Sequence, residues 1–228
     1  MPSGWLAVRS DLVFVGAALN VVYSSVIKRL ADVVLAGSAL VILLPLMLVV
    51  GGVVWAGLGS PILYHDERAG LDGRRIRIAK FRSMRNPLAT DAGAMTDEQR
   101  LTPLGRWLRR TSIDELPQLL SVVAGDMSLV GPRPLPMRYV PRYTPRQAMR
   151  LHVRPGLTGW AQIHGRNALP WEQRLEYDAQ YVEFQRQWWA PFLDLRIMLV
   201  TLAQVVWQAL TGRGVSAPGV ATMQEFCP

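Results

Sequence analysis

From Val33 to Tyr64 the chain runs for 32 residues without a charged side chain, while Lys28, Arg29 and Asp32 stand before that run and Asp66, Glu67 and Arg68 after it. So long an apolar stretch needs cover from water along its length, and the bilayer is the simplest cover. As a straight helix it would rise about 1.5 Å per residue to roughly 48 Å, more than a hydrocarbon core of about 30 Å requires. Pro45 falls inside the run. It cannot donate to the Val41 carbonyl and its ring crowds that turn, so a kink is expected there. Limbs of about a dozen residues on either side of Pro45 are each too short to cross. A bent hairpin that enters and leaves by one face and a kinked crossing helix are therefore both open. Lys28 and Arg29 before the run and Arg68, Arg74 and Arg75 after it give no positive-inside asymmetry in favour of a crossing.

The remainder is charged and amphipathic. The formal charge is +8, from 25 Lys and Arg against 17 Asp and Glu, and only Lys28 and Lys80 are lysines. Arginine in that proportion suits nucleic acid, anionic lipid or phosphorylated small molecules. Nucleic acid fits least, since no zinc spacing, helix-turn-helix pattern or aromatic single-strand platform accompanies the lipid-seeking segment. Cys227 is the single cysteine, which excludes an internal disulfide framework and a cysteine-rich metal site. Before the main apolar run, Leu12 to Ile27 is shorter and is interrupted by Asn20, Ser24 and Ser25, as suits an interfacial helix.

Beyond Pro61 the pattern changes to strand. Ile62–His65 and Arg75–Phe81 flank the turn-rich Gly70-Leu71-Asp72-Gly73, which predicts a β-hairpin. Alternation puts Ile76, Ile78 and Lys80 on one side, so a lysine joins an otherwise apolar face. Snorkelling at a membrane or strand edge and contact with an anion both account for it. Pro87 to Thr102 reads as a polar loop.

The segment Arg109 to Pro134, RRTSIDELPQLLSVVAGDMSLVGPRP, sets two adjacent carboxylates between arginines. Ser112 and Glu115 have the spacing of a capping box, with Asp114 and Glu115 in the first turn of a helix running toward Val123. Acids in a first turn are ordinary capping residues. Here Arg109 and Arg110 precede them and Arg133 follows. A carboxylate beside guanidinium groups and a helix start is expected to stay ionised at neutral pH and to serve as nucleophile or metal ligand. The free amides of the helix start and the guanidinium forks are expected to hold phosphate.

Arg138, Arg142, Arg146 and Arg150 recur every four residues and read as a basic surface for headgroups or substrate phosphate. His152 and His164 have no second histidine at metal spacing and read as structural. His152 to Asn167 reads as a packed, glycine-rich loop. Trp171 to Trp189 and Leu193 to Leu210 read as helices, with Trp188, Trp189 and Trp207 placed for seating at a membrane interface. No GxGxxG or GxxxxGK[ST] fingerprint occurs.

Five motifs together resemble the bacterial sugar transferases, the monotopic polyprenol-phosphate phosphoglycosyl transferases. They are Lys28-Arg29-Leu30-Ala31-Asp32, Lys80-Phe81-Arg82-Ser83-Met84, Ser112-Ile113-Asp114-Glu115-Leu116-Pro117-Gln118, Gly125 through Pro134, and Arg154-Pro155-Gly156-Leu157-Thr158-Gly159-Trp160. The resemblance covers about Lys28 to Val215. It implies an enzyme at the cytosolic face of a bacterial inner membrane that moves a sugar 1-phosphate from a UDP-sugar to polyprenol phosphate, releasing UMP and requiring Mg2+. It further implies Asp114 as nucleophile and metal ligand, Glu115 as the second catalytic carboxylate, and Lys80, Arg109 and Arg133 as phosphate-binding positions. Gly165-Arg166-Asn167 and the Trp171 stretch resemble members acting on N-acetylated amino or diamino sugars, while hexose donors stay open.

The expected fold is α+β and mainly helical. A re-entrant membrane helix bent at Leu44-Pro45, amphipathic interfacial helices and a small β-hairpin surround the active site, and Lys28 and Arg29 face lipid headgroups. The resemblance favours re-entry over crossing, although family members often carry Ser-Pro at the bend and Leu44 stands here in place of the serine. The expected division is an N-terminal extension (1–27), the membrane helix (28–60), the catalytic domain (61–215) and a tail (216–228). A homodimer is left open. The rival reading is a basic membrane-surface scaffold that binds anionic lipid without chemistry. A third is direct attack of lipid phosphate on the donor, with Asp114 only a metal ligand.

Overall fold

In the computed structural model, helix α1 (Lys28–Leu58) takes up nearly all of the charge-free run and continues without interruption through Pro45. The structure describes residues 26–85, 96–165, 169–211 and Phe226. Most of the N-terminal extension, residues 87–95 of the expected polar loop, Arg166-Asn167 and all of the expected tail except Phe226 lie outside them.

One stripe of α1 is covered by the rest of the fold, at the three- and four-residue spacing of a helix face. Ala36, Ala39, Leu40 and Leu43 pack with Ile76, Ile78, Leu119, Val122 and Met127, and farther along Met47, Val50, Val54 and Leu58 pack with Phe81, Leu108, Ile62 and Ile113. The opposite face exposes Val34, Val41, Ile42, Leu44, Leu48, Val49, Val53 and Trp55. Pro45 lies on the exposed side.

Both ends of α1 are fastened to other elements. At its start, Lys28 Nζ lies 2.7 Å from Asp194 Oδ2, Arg29 donates to the carbonyls of Val122 and Val123 at 2.6 and 2.8 Å, and Asp32 accepts from the Leu129 amide at 3.0 Å. Lys28 and Arg29, expected at lipid headgroups, thus have partners within the protein: one is paired with a buried carboxylate, and the other closes the carbonyl end of a helix. At the far end, Gly59 takes φ +72° and Arg82, only 5% exposed, donates to the carbonyls of Leu58, Gly59 and Ser60. A cation on the last carbonyls satisfies groups that have no helical partner and opposes the helix dipole.

The hairpin forms as expected. Strands β1 (Leu63–Ala69) and β2 (Arg75–Phe81) pair antiparallel, with Leu63 opposite Phe81 and Ala69 opposite Arg75. A four-residue helix, α2 (Asp97–Arg100), follows where only loop was expected, started by a Thr96–Gln99 capping box. Helix α3 (Pro103–Thr111) begins at the Thr102 side chain and presses Gly105 onto the Ser83 backbone, where an added Cβ would fall 1.8 Å from the Ser83 oxygen.

Helix α4 (Gln118–Ala124) ends at Gly125, whose φ of +100° suits glycine. A second sheet then appears that the sequence did not disclose: β3 (Ser128–Val130) and β4 (Gly156–Thr158) pair in parallel. Gly131 and Gly156 allow this close approach, since a Cβ on Gly156 would sit 2.1 Å from the Gly131 nitrogen. Short helices α5 (Pro145–Ala148) and α6 (Trp160–Ile163) are followed by α7 (Trp171–Phe184) and α8 (Ala190–Thr211).

Helix α8 buries Leu193, Asp194 and Ile197 and exposes Phe192, Leu195, Leu199, Leu202, Val206, Trp207 and Leu210. Among the described residues, α1 and α8 are long and apolar enough to cross a membrane. The arginines of the expected basic surface have partners within the fold, although Arg138 and Arg146 stay exposed. Arg150 is buried against Asp178, Arg146 forks Glu176 and Glu183, Arg142 donates to the Phe226 carbonyl, and Arg138 lies over the Tyr139 ring.

Candidate active site

The loop between α3 and α4 places the two carboxylates. Ser112 ends α3 in the left-handed region (φ 57°, ψ 15°), and Ile113–Glu115 form one 3-10 turn before α4 starts at Gln118. This corrects the capping-box reading, because the Ser112 side chain caps nothing and the helix begins later. The chain must reverse sharply here so that Ile113 can join Phe81 and Leu108 in the core.

The reversal also occupies several of the backbone amides expected to be free at a helix start. The amides of Glu115, Leu116, Leu119 and Leu120 already donate to Ser112, Ile113, Leu116 and Pro117.

Charged side chains converge from three elements. Lys80 from β2 donates to Glu115 Oε1 at 2.7 Å, and Arg133, beyond β3, forks the same carboxylate, with Nη1 3.3 Å from Oε2 and Nη2 on Oε1. Of the two accounts of a lysine on the apolar strand face, anion contact is the one observed. Arg109 near the end of α3 donates through Nε to Ser83 Oγ at 2.9 Å, and its charge acts on Asp114. The structure thus brings together Lys80, Arg109, Asp114, Glu115 and Arg133, and leaves Lys28, Arg29, Leu44 and Pro45 outside.

The two acids differ sharply. Burial pushes Glu115 upward, but the charges of Arg133 and Lys80 and their hydrogen bonds override it and hold the carboxyl well below the ordinary range. Arg133 is in turn pushed up by Glu115. Asp114 is 7% exposed, and among the described residues nothing donates a hydrogen bond to it. Burial, followed by the neighbouring Glu115, raises its carboxyl to about 6 against the opposing pull of Lys80, Arg109 and Arg133. Asp114 was expected to be held ionised by its surroundings. Desolvation wins instead, although a carboxyl at that value is still mainly ionised at pH 7.

A second layer fixes Arg133. Arg150 donates to the Arg133 carbonyl at 2.6 Å and pairs with Asp178 at 2.9 Å, both side chains 2% exposed. Burial lowers Arg174 in the same pocket to about 10. Sequence reasoning missed this layer because Asp178 and Arg174 carry no motif and read as ordinary polar residues of an amphipathic helix.

Among the described residues, no three His, Cys, Asp or Glu side chains gather as a metal site. Magnesium needs less, since it commonly takes one or two carboxylates and fills its remaining positions with substrate phosphate and water. Asp114, a buried carboxylate without donors among the described residues, fits that demand, whereas Glu115 is already committed to two cations.

Comparison with known proteins shows the family. The uncharacterized sugar transferase EpsL of Bacillus subtilis is 43% identical over 201 residues, covering 88% of this chain and 96% of EpsL. The exopolysaccharide production protein ExoY of Sinorhizobium fredii is 38% identical over 195 residues, covering 78% of this chain and 84% of ExoY. The UDP-glucose:undecaprenyl-phosphate glucose-1-phosphate transferase of Xanthomonas campestris pv. campestris is 38% identical over 197 residues, but this chain covers only 40% of that protein. The family model described as bacterial sugar transferase matches residues 23–208, from before α1 to near the end of α8 with every member of the cluster inside it, and the chain belongs to that family.

Proposed function

We propose that this chain is a membrane-bound phosphoglycosyl transferase that moves a sugar 1-phosphate from a UDP-sugar to polyprenol phosphate, the first membrane step in assembling a glycoconjugate. The observation that carries the reading is Asp114: buried, without a hydrogen-bond donor among the described residues, mainly ionised at neutral pH, and next to three cations. An Asp114 oxygen attacks the β-phosphorus of the donor. The bond from that phosphorus to its bridging oxygen breaks, and UMP leaves with the electron pair. An oxygen of polyprenol phosphate then attacks the same phosphorus and releases the Asp114 carboxylate, leaving the sugar on a lipid diphosphate. Two anionic substrates that repel each other thus meet the same cationic pocket one after the other.

Lys80, Arg109 and Arg133 supply positive charge around the transferred phosphate, and Glu115 fixes the positions of Lys80 and Arg133. Magnesium, held through Asp114, would neutralise charge on the donor diphosphate when bound.

The proposed membrane position draws its support from α1. Both of its ends are fastened to the body that carries Asp114, which supports their lying at one bilayer face and favours re-entry over crossing. UDP-sugars then place that face toward the cytosol of the bacterial inner membrane.

The names of relatives, glucose-1-phosphate transferase among them, lend weight to the reaction class. Identification of the sugar rests on a panel of UDP-hexoses and UDP-N-acetylhexosamines scored by UMP release with polyprenol phosphate. The covalent step is tested by incubating the protein with an accepted UDP-sugar and magnesium without lipid. The peptide containing Asp114 gains the mass of a sugar phosphate, and Asp114→Asn neither gains it nor turns over above about one thousandth of the wild-type rate. An asparagine variant with normal UMP release sinks the mechanism.

A further inference from the structure

Phe226 is the one described residue of the expected tail, and it lies beyond residue 208, where the match to the family ends. Its side chain is nonetheless fully buried, at 1% exposure. Three rings surround it: Trp171 at 5.4 Å between centroids, Tyr139 at 5.6 Å and Tyr143 at 6.0 Å, with Leu135 and Leu175 in the same cluster. The backbone is held as well. The Phe226 amide donates to Tyr139 Oη at 3.3 Å, and Arg142 Nη1 donates to the Phe226 carbonyl at 2.7 Å. Ring packing by itself would make this a stabilising contact and nothing more.

Two of the three rings reach farther. Tyr143 Oη accepts from Arg150 Nη1 at 3.0 Å, and the Trp171 ring lies 5.1 Å from the Arg174 guanidinium. The same Arg150 donates to the Arg133 carbonyl at 2.6 Å and pairs with Asp178 at 2.9 Å, while Arg133 forks Glu115. A continuous line of contacts thus runs from Phe226 through Tyr143, Arg150 and Arg133 to the carboxylate beside Asp114. Arg150 is buried, so water does not stand ready to replace Tyr143 as its acceptor. Removing the Phe226 ring leaves a void against Tyr143, and a ring that tips into that void takes its hydroxyl away from Arg150.

We propose that Phe226 is a positioning residue for the transfer, acting through Tyr143 and Arg150 to hold Arg133 where it serves the phosphate. The role rests on the transfer proposed above. Phe226 itself touches no reacting group. The lever is short, but a displacement of about 1 Å in a group that positions substrate can lower a rate by about a hundredfold, and a fraction of that shift is enough for a tenfold loss.

The test is single-turnover UMP release by the full chain, with protein and polyprenol phosphate in saturating excess over an accepted UDP-sugar. Under those conditions the rate constant does not depend on the fraction of chains that is folded, so lost stability alone leaves it unchanged. Phe226→Ala should lower the constant about tenfold, and Tyr143→Phe, which keeps the ring and removes the acceptor of Arg150, by a similar factor. The two changes together should cost no more than the larger of them alone, since both break the same line of contacts. Should Phe226→Ala not fold, Phe226→Leu fills the pocket without the ring contacts and should lower the constant about threefold. A constant equal to wild type in whichever of these folds, with only the thermal midpoint lowered, or a double variant whose loss is the product of the single losses, overturns the inference and leaves the transfer standing. A wild-type chain that releases no UMP from any UDP-sugar of the panel sinks the transfer itself, and this role with it.

Discussion

Glu115 accepts hydrogen bonds from Lys80 and Arg133, and Asp114, its neighbour in the chain, accepts none among the described residues. Adjacent carboxylates therefore respond to pH with opposite signs in the metal-free protein. For Glu115 the folded value lies well below the ordinary 4.5, so its stabilising contribution is present above that pH and is lost as pH falls toward the folded value. Asp114 rises from 3.8 to about 6, so its contribution is present below 3.8 and is lost as pH climbs through 6. Metal-free Asp114→Asn should thus be more stable than wild type at pH 7, by about 1 to 3 kcal/mol, with no advantage at pH 4. Glu115→Gln should be less stable at pH 7, with the gap closing in acid. Denaturation midpoints in detergent between pH 4 and 8 measure both, and parallel curves for all three proteins would contradict the assignment.

Arg82 holds three carbonyls at the end of α1. Replacing it by alanine leaves those half-buried to exposed carbonyls without their donor and should cost about 1 to 2 kcal/mol. The loss should be local, with faster hydrogen exchange at Trp55 to Gly59. Lysine, which keeps the charge but lacks the planar fork, should restore the stability only in part. Exchange rates in Arg82→Ala equal to wild type would show that the clamp has no energetic role.

Asp178 should act at a distance through Arg150 and the Arg133 backbone. Asp178→Asn leaves the buried Arg150 and Arg174 without their carboxylate, a change that typically costs about 3 to 5 kcal/mol. Because Arg150 also holds the Arg133 carbonyl, turnover should fall more than donor KM rises. Steady-state UMP release together with thermal unfolding separates this positioning role from simple unfolding, which would lower both the active fraction and the midpoint without changing KM.

The parts of the fold legible in the sequence were those with a period or a turn: the charge-free run as a helix, the hairpin around Gly70 to Gly73, and the two late helices. The parallel pair β3 and β4 was not, since three-residue strands far apart in the chain carry no periodic signal and depend on the close approach of Gly131 and Gly156. Residue types singled out Asp114, Glu115, Arg109 and Arg133 as one group, and Lys80 joined it only through the family resemblance. Their division of labour was hidden, because it depends on Lys80 and Arg133 both reaching Glu115 across the fold. The partners of Lys28 and Arg29 were hidden for the same reason, since the carboxylate and carbonyls they meet lie far along the chain.

The partners that secure the beginning of α1 are made long after it. Val123, Leu129 and Asp194 follow Arg29, Asp32 and Lys28 by 94, 97 and 166 residues. During synthesis the greasy helix emerges and must find shelter well before the residues that moor it exist. Its final pose is settled late, by folding of the domain that follows, and a ribosome that stalls before Asp194 releases a chain able to reach lipid but unable to lock into register.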